Sequence, residues 1–162
     1  MINRKKTAGR ITLLAVFSLL LFTAGAPHRF LTIYNAARRK TVLKLPAEDV
    51  RKIQYCYQQS YDRGFIEESF ILENCRIVPV QMVYDTDSYD FHGSRYPDAE
   101  HEKKENRNCV YIRNHEGYPE IKYRIGYIIK QEMKITMKNS ETSFSFPDLG
   151  EPGNLLILRV TQ

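Results

Sequence analysis

The residues with the most chemical potential lie in one stretch, Tyr55–Phe70, which reads YCYQQSYDRGFIEESF. It holds a hydroxyl nucleophile (Ser60), three carboxylates (Asp62, Glu67, Glu68), two glutamines and an arginine among aromatics. Acyl transfer needs a serine next to a general base, with a third group orienting that base. Ser60 lacks the G-x-S-x-G elbow and has no histidine near it in sequence, so a hydrolase centred on Ser60 needs His92 or His115 to fold back onto it. Acid–base work by Glu67 and Glu68 with Asp62 meets another obstacle. Neighbours on a strand face opposite sides of the sheet, which predicts two surface glutamates that do not converge. No catalytic set follows from these residues.

Metal and phosphate chemistry fare no better. Asp85, Asp87 and Asp90 with His92 offer hard oxygen ligands, but the spacing is not that of an EF-hand loop: glycine is missing from the sixth position and Tyr96 stands at the twelfth. A solvated acidic loop accounts for them. The four histidines form no H-x-x-x-H or H-E-x-x-H pair, and no two cysteines stand at C-x-x-C spacing, so no zinc site is expected. Gly-rich phosphate loops are absent, and no cofactor is implied.

The elements that would carry these residues alternate with period two. IKYRIGYIIK places Ile121, Tyr123, Ile125, Tyr127 and Ile129 on one face, and EMKITMK does the same with Met133, Ile135 and Met137. The two read as half-buried strands joined in a hairpin, their tyrosines in the core. At that strict period, YRIGYIIK does not read as an aromatic groove for lipid or envelope polymer. Val78, Val80, Met82 and Tyr84 alternate in turn, with Pro79 marking an edge or a bulge. Further strands are expected at Phe30–Asn35, Thr41–Leu45, Arg51–Gln58, Ile66–Leu72, Val110–Arg113 and LLILRV near the C-terminus, after the turn GEPGN. Eight or nine short strands predict an all-β antiparallel sandwich or partly open barrel over residues 29–162. Residues 85–108 form a long polar loop, whose half AEHEKKENRN has the composition of disorder.

The N-terminus differs in kind. Arg4, Lys5, Lys6 and Arg10 precede an uncharged apolar run from Ile11 to Pro27. This is the pattern of a signal peptide or signal anchor over residues 1–28. As a helix the run spans about 25 Å, the short end of what crosses a bilayer. Pro27 disfavours cleavage after Ala26, so a retained single-pass anchor is the primary expectation, with the N-terminus inside and the body outside the cell membrane. A secreted, cleaved form is the alternative. The net charge of +5 belongs mostly to this flank, because the remainder holds 20 basic and 19 acidic residues. That is the positive-inside pattern and does not indicate a nucleic-acid binder. Arg38, Arg39 and Lys40 read as a solvated turn. Of three cysteines, Cys56 and Cys75 are the better-placed pair, with a fully reduced set as the alternative.

The central stretch resembles a bacterial family of membrane-anchored proteins, domain of unknown function 1850. Its genes often lie beside TRAP-type transporters of the TAXI subfamily. The family motif runs aromatic-x-His-Ser-x-acidic, two further residues, then Pro-Val-x-Glu. Tyr57, Ser60, Asp62 and Glu68 match it, while Gln59 replaces the histidine, Phe65 the proline and Ile66 the valine. RFLTIYNAARRKTVLKLPA is similar to the family's opening hairpin and GEPGNLLILRV to its closing turn and strand. Ser88 and Tyr89 resemble the start of a Ser-aromatic-Gly-x-Gly-x-Pro element whose glycines are displaced here. The resemblance implies a β-rich body and, as partners, transporter membrane or solute-binding subunits. Gln59 cannot exchange a proton near neutral pH but keeps a donor and an acceptor. The motif therefore reads as structural or binding, through Tyr57, Gln59, Ser60, Asp62, Glu68, Ser88 and Tyr89. The expectation is a non-catalytic accessory or interaction module outside the cytoplasm.

Overall fold

The computed structural model describes residues 28–59, 63–85, 96, 98–127 and 130–162. The N-terminal apolar run lies outside them. Among the described residues no helix is long and apolar enough to cross a membrane.

Eleven strands are present among the described residues: β1 (Phe30–Asn35), β2 (Lys40–Pro46), β3 (Val50–Gln58), β4 (Phe65–Glu73), β5 (Arg76–Tyr84), β6 (Glu100–Lys104), β7 (Arg107–Tyr111), β8 (Glu120–Arg124), β9 (Gln131–Met137), β10 (Glu141–Ser145) and β11 (Leu155–Thr161). They make two antiparallel sheets, one ordered β2-β1-β11-β8 and the other β10-β9-β3-β4-β5-β7-β6, without closing a barrel. Leu31, Ile33, Tyr123, Leu156 and Leu158 of the smaller sheet pack on Ile53, Tyr55, Phe70, Met133 and Ile135 of the larger. This shared apolar interior is what holds two half-wet sheets face to face. Four strands cover only part of a seven-stranded sheet. Beyond their reach Ile66, Met82, Tyr84 and Val110 form a second cluster, joined by Tyr96 and Ile112.

Several expectations change. Residues 120–137 do not form a hairpin: β8 pairs with β11 in one sheet, and β9 with β3 and β10 in the other. Period two reports which side of each strand is buried, and it continues when the chain crosses between sheets. Tyr123 and Ile125 are buried as expected, but Tyr127 is 79 % exposed, because β8 has already ended at Arg124. Ile129 lies outside the described residues.

The expected bulge at Pro79 is present. Ser69 pairs with Gln81 while Phe70 pairs with Pro79, leaving Val80 as the extra residue. The extra residue shifts the phase, so Ile77 and Pro79 are buried before it and Met82 and Tyr84 after it. Val78 and Val80, expected inward, are only half-buried.

The polar loop also shortens. Glu100–Lys104 and Arg107–Tyr111 form a hairpin whose two turn residues, Glu105 and Asn106, both have positive φ, as a two-residue primed turn requires. All five residues of β6 are exposed. A charged outer edge strand has the composition of a disordered segment, so composition does not tell the two apart. β10 likewise has no counterpart among the expected strands.

The cysteines are free. Cys56 pairs across from Glu67, whereas Cys75 occupies the β4–β5 turn, eight residues further along and therefore roughly 25 Å away.

Candidate functional site

The motif spans the end of β3, a loop and the start of β4. The loop is closed from both sides. Gln59 N–H donates to Gly64 O (2.8 Å), and the Gln58 side chain donates to Arg63 O (2.9 Å). Arg63 takes the left-handed conformation, with φ of 64°. Phe65 N–H then donates to Asp85 Oδ1 at 2.7 Å, tying the loop to the end of β5.

Ser60, Asp62, Ser88 and Tyr89 lie outside the described residues, as do Asp87, Asp90 and His92. Tyr57 and Glu68 come together on the inner face of the larger sheet. The register places Tyr57 beside Ile66, and Glu68 between Tyr55 and Met82. Glu68 is 5 % exposed and Gln59 is 8 % exposed. Glu67 and Glu68 do diverge: Glu67 accepts from Gln54 on the outer face (2.8 Å). But Glu68 is a buried carboxylate at the join of two apolar clusters, not the surface residue expected. The β3–β4–β5 register puts it in phase with Ile66 and Phe70, whose apolar character marks that face as inward.

The inner face carries a polar bridge that the motif does not reveal. Gln131 Nε2 donates to Tyr55 Oη and to Arg124 O, both at 2.9 Å, and its Oε1 accepts from Gly126 N–H at 2.6 Å. One amide thus ties β9 to the end of β8 across the two sheets. Around it the Tyr55 ring packs on Tyr57 (4.9 Å), Tyr123 (4.3 Å) and Phe146 (5.1 Å). Burial pushes the Tyr55 phenol well above its usual range, against the Gln131 hydrogen bond, so it stays neutral. Gln131 sits two residues before Met133, in phase with the inward face. A polar residue at an inward position is the signal available in the sequence.

On the outer face a shallow open concavity of about 230 Å³ is lined by Cys56, Phe65, Glu67, Val83, Asp85 and Arg107. Phe65 leaves 42 % of its surface exposed there. Burial, then the nearby Glu67 and Glu132 carboxylates, push the Cys56 thiol up, with Arg107 acting in the opposite sense. A protonated thiol is a poor nucleophile. Alkylation by iodoacetamide at pH 7 is therefore expected to label exposed Cys75 about tenfold faster than Cys56, counted by peptide mass spectrometry. Equal rates would contradict this electrostatic picture.

The loop carrying His115 is fixed elsewhere. His115 Nδ1 accepts from Gly117 N–H (2.8 Å), and Arg76 donates to the Glu116 and Gly117 carbonyls. Gly117 has φ of +75°, and a Cβ there would sit 2.8 Å from Val78 Cγ2. These contacts hold the loop toward the β4–β5 turn, at the far end of β4 from Gln59 and Gly64. His115 is not brought to the motif loop. Among the described residues no three His, Cys, Asp or Glu side chains are grouped to hold a metal. No family model, curated protein or solved structure matches the chain.

Proposed function

We propose that the chain is an interaction module without catalytic machinery, tethered outside the cytoplasm by Ile11–Pro27, and that it docks on the membrane or solute-binding subunits of a solute transporter. The partner class rests on the resemblance of Tyr57–Glu68 to the transporter-associated family. The observation that carries the docking function is the division of the motif hairpin between two faces. Tyr57 and Glu68 turn inward and serve the core, while Phe65 and Glu67 turn outward into the concavity with Asp85 and Arg107. An exposed aromatic ringed by both charges suits a protein surface. The concavity is open and below the usual 300 Å³ or so of an enclosed small-molecule site.

The test is affinity purification of the full-length, C-terminally tagged protein from gently solubilised membranes of its host. Transporter subunits are expected to co-elute. The paired change Phe65→Ala with Arg107→Glu is expected to lower their recovery about tenfold, the loss of one or two interface anchors. Recovery of the protein alone, or recovery indifferent to these changes, would overturn the reading.

A further inference from the structure

The outward face of the smaller sheet is basic. Lys44 pairs with Thr32, Thr32 with Arg159, and Arg159 with Glu120, out of phase with buried Leu31, Ile33 and Leu158. Two residues further along β1 the same side carries Tyr34, Ile157 and Lys122, and Arg124 follows beside Leu155. This face therefore bears four cations and one carboxylate. The carboxylate, Glu120, is already matched by Lys122 at 3.0 Å. Aromatic rings lie beneath two of the cations. Lys44 Nζ is 3.9 Å from the Phe30 ring centroid, and the Arg159 guanidinium is 5.7 Å from that of Tyr34. Lys44, Lys122 and Arg124 are exposed.

The larger sheet has a different balance outside. One outward row runs Glu132, Cys56, Glu67, Val83, Cys109, Glu102, with three carboxylates and no cation. The sheets pack face to face, so the two outward faces point in opposite directions. The body is thus electrically polarised, although it is almost neutral as a whole. The chain's entry point says which way a membrane lies. The apolar run ends at Pro27 and β1 begins at Phe30. That link reaches at most about 10 Å, close to the screening length of about 8 Å at physiological salt. A retained anchor therefore holds the Phe30 end of the basic face, with Lys44 over it, where headgroup charge is felt.

We propose that the outward face of the smaller sheet lies on the bilayer that holds the anchor, binding anionic phospholipid headgroups through Lys44, Lys122, Arg124 and Arg159. The proposal rests on the reading of Ile11–Pro27 as a retained anchor. Each Lys or Arg beside an anionic surface raises the ratio of bound to free about fivefold. Tethering keeps the local lipid concentration high, so a few such charges suffice. Half-buried Tyr34 and Ile157 set apolar surface among the cations, as suits the headgroup level. The contact turns the Phe65–Arg107 concavity, on the other sheet, away from the bilayer. Of the two partner classes proposed above, it favours the solute-binding subunit.

The test places two full-length variants, Thr41→Cys and Ser143→Cys, each in a Cys75→Ser background, in nanodiscs of phosphatidylcholine alone or mixed with phosphatidylglycerol. Thr41 is exposed and pairs with Tyr34 on the basic face, whereas Ser143 is exposed and pairs with Lys134 on the opposite one. Alkylation by a neutral polyethylene-glycol maleimide is expected to be about tenfold slower at position 41 in the anionic nanodiscs than in the neutral ones. At position 143 the two rates are expected to match. Adding Lys44→Gln and Lys122→Gln, both at exposed positions, brings the rate at 41 back to within about twofold of its neutral-lipid value. High salt does the same by screening. A chain that leaves nanodiscs of both compositions would refute the anchor, and this proposal with it. A chain that stays in them overturns the lipid contact alone if position 41 reacts equally fast in both lipids. Protection that survives the two lysine changes, or that needs an acidic protein rather than lipid, has the same meaning.

Discussion

Gln131→Leu is expected to destabilise the protein by about 3 kcal/mol, although it exchanges a polar residue for an apolar one of similar size at a buried position. The side chain satisfies three partners, the buried Tyr55 hydroxyl and the partly buried Arg124 carbonyl and Gly126 N–H. Each polar group left without a partner costs about 1–3 kcal/mol, and the gain from burying leucine offsets only part of that. A double-mutant cycle with Tyr55→Phe isolates the mechanism. Tyr55→Phe alone leaves one Gln131 donor unmet. Introduced together with Gln131→Leu, it removes a hydroxyl already stranded, so the two costs are expected to be less than additive by about 1 kcal/mol. Denaturant unfolding followed through tyrosine circular dichroism reports both, since the chain has no tryptophan. Strict additivity, or a cost for Gln131→Leu below about 0.5 kcal/mol, would show that the bridge does not join the sheets.

Asn35→Leu is the second large effect, expected at about 2–4 kcal/mol. Asn35 is fully buried at the end of β1. Its Nδ2 donates to Leu149 O (3.0 Å) and Asn154 Oδ1 (3.1 Å), and its Oδ1 accepts from Arg38 N–H (3.0 Å). One amide thus fixes both the β1–β2 turn and the turn leading into β11. Leucine matches its length but meets none of these groups. Gly150 belongs to the same arrangement: a methyl there would press on the Asn35 amide and lie 2.9 Å from Asn154 Oδ1. Thermal unfolding is expected to shift down by several degrees for Asn35→Leu, with Asn35→Asp giving no recovery, because it sets a buried carboxylate oxygen against the Leu149 carbonyl and Asn154 Oδ1. A leucine variant as stable as the parent would refute the network's role.

Most strands are legible in the sequence because a half-buried strand writes its orientation into every second residue. Phe30–Asn35 is bounded as expected, the strands around Ile53 and Ile135 follow from alternation, and the strand around Leu158 follows from an apolar run after the turn GEPGN. Pro79 announces its bulge because proline cannot donate to a ladder. The failures also have causes. β6 reads as disorder because an unpartnered edge needs charge rather than apolar residues. The link from β8 to β9 reads as a hairpin because periodicity is blind to which strand lies alongside.

The candidate site divides in the same way. The divergence of Glu67 and Glu68 is local geometry, and adjacent positions on a strand settle it. The burial of Glu68 is not local. It arises because β4 is flanked on both sides, by β3 and by β5, and its inner face is covered by side chains from elsewhere in the chain. Gln131 is visible as a polar residue in an inward phase, but its three partners come from positions 55, 124 and 126 and become neighbours only when the sheets pack.

By itself, then, the sequence determined the all-β class, most strand positions and the inward side of the regularly alternating strands, because these depend on residue type and spacing over a few positions. Tertiary structure decided which strands are neighbours, which edges are guarded and which polar groups meet in the interior. Those depend on contacts between residues distant in the chain, whose energies no local pattern records.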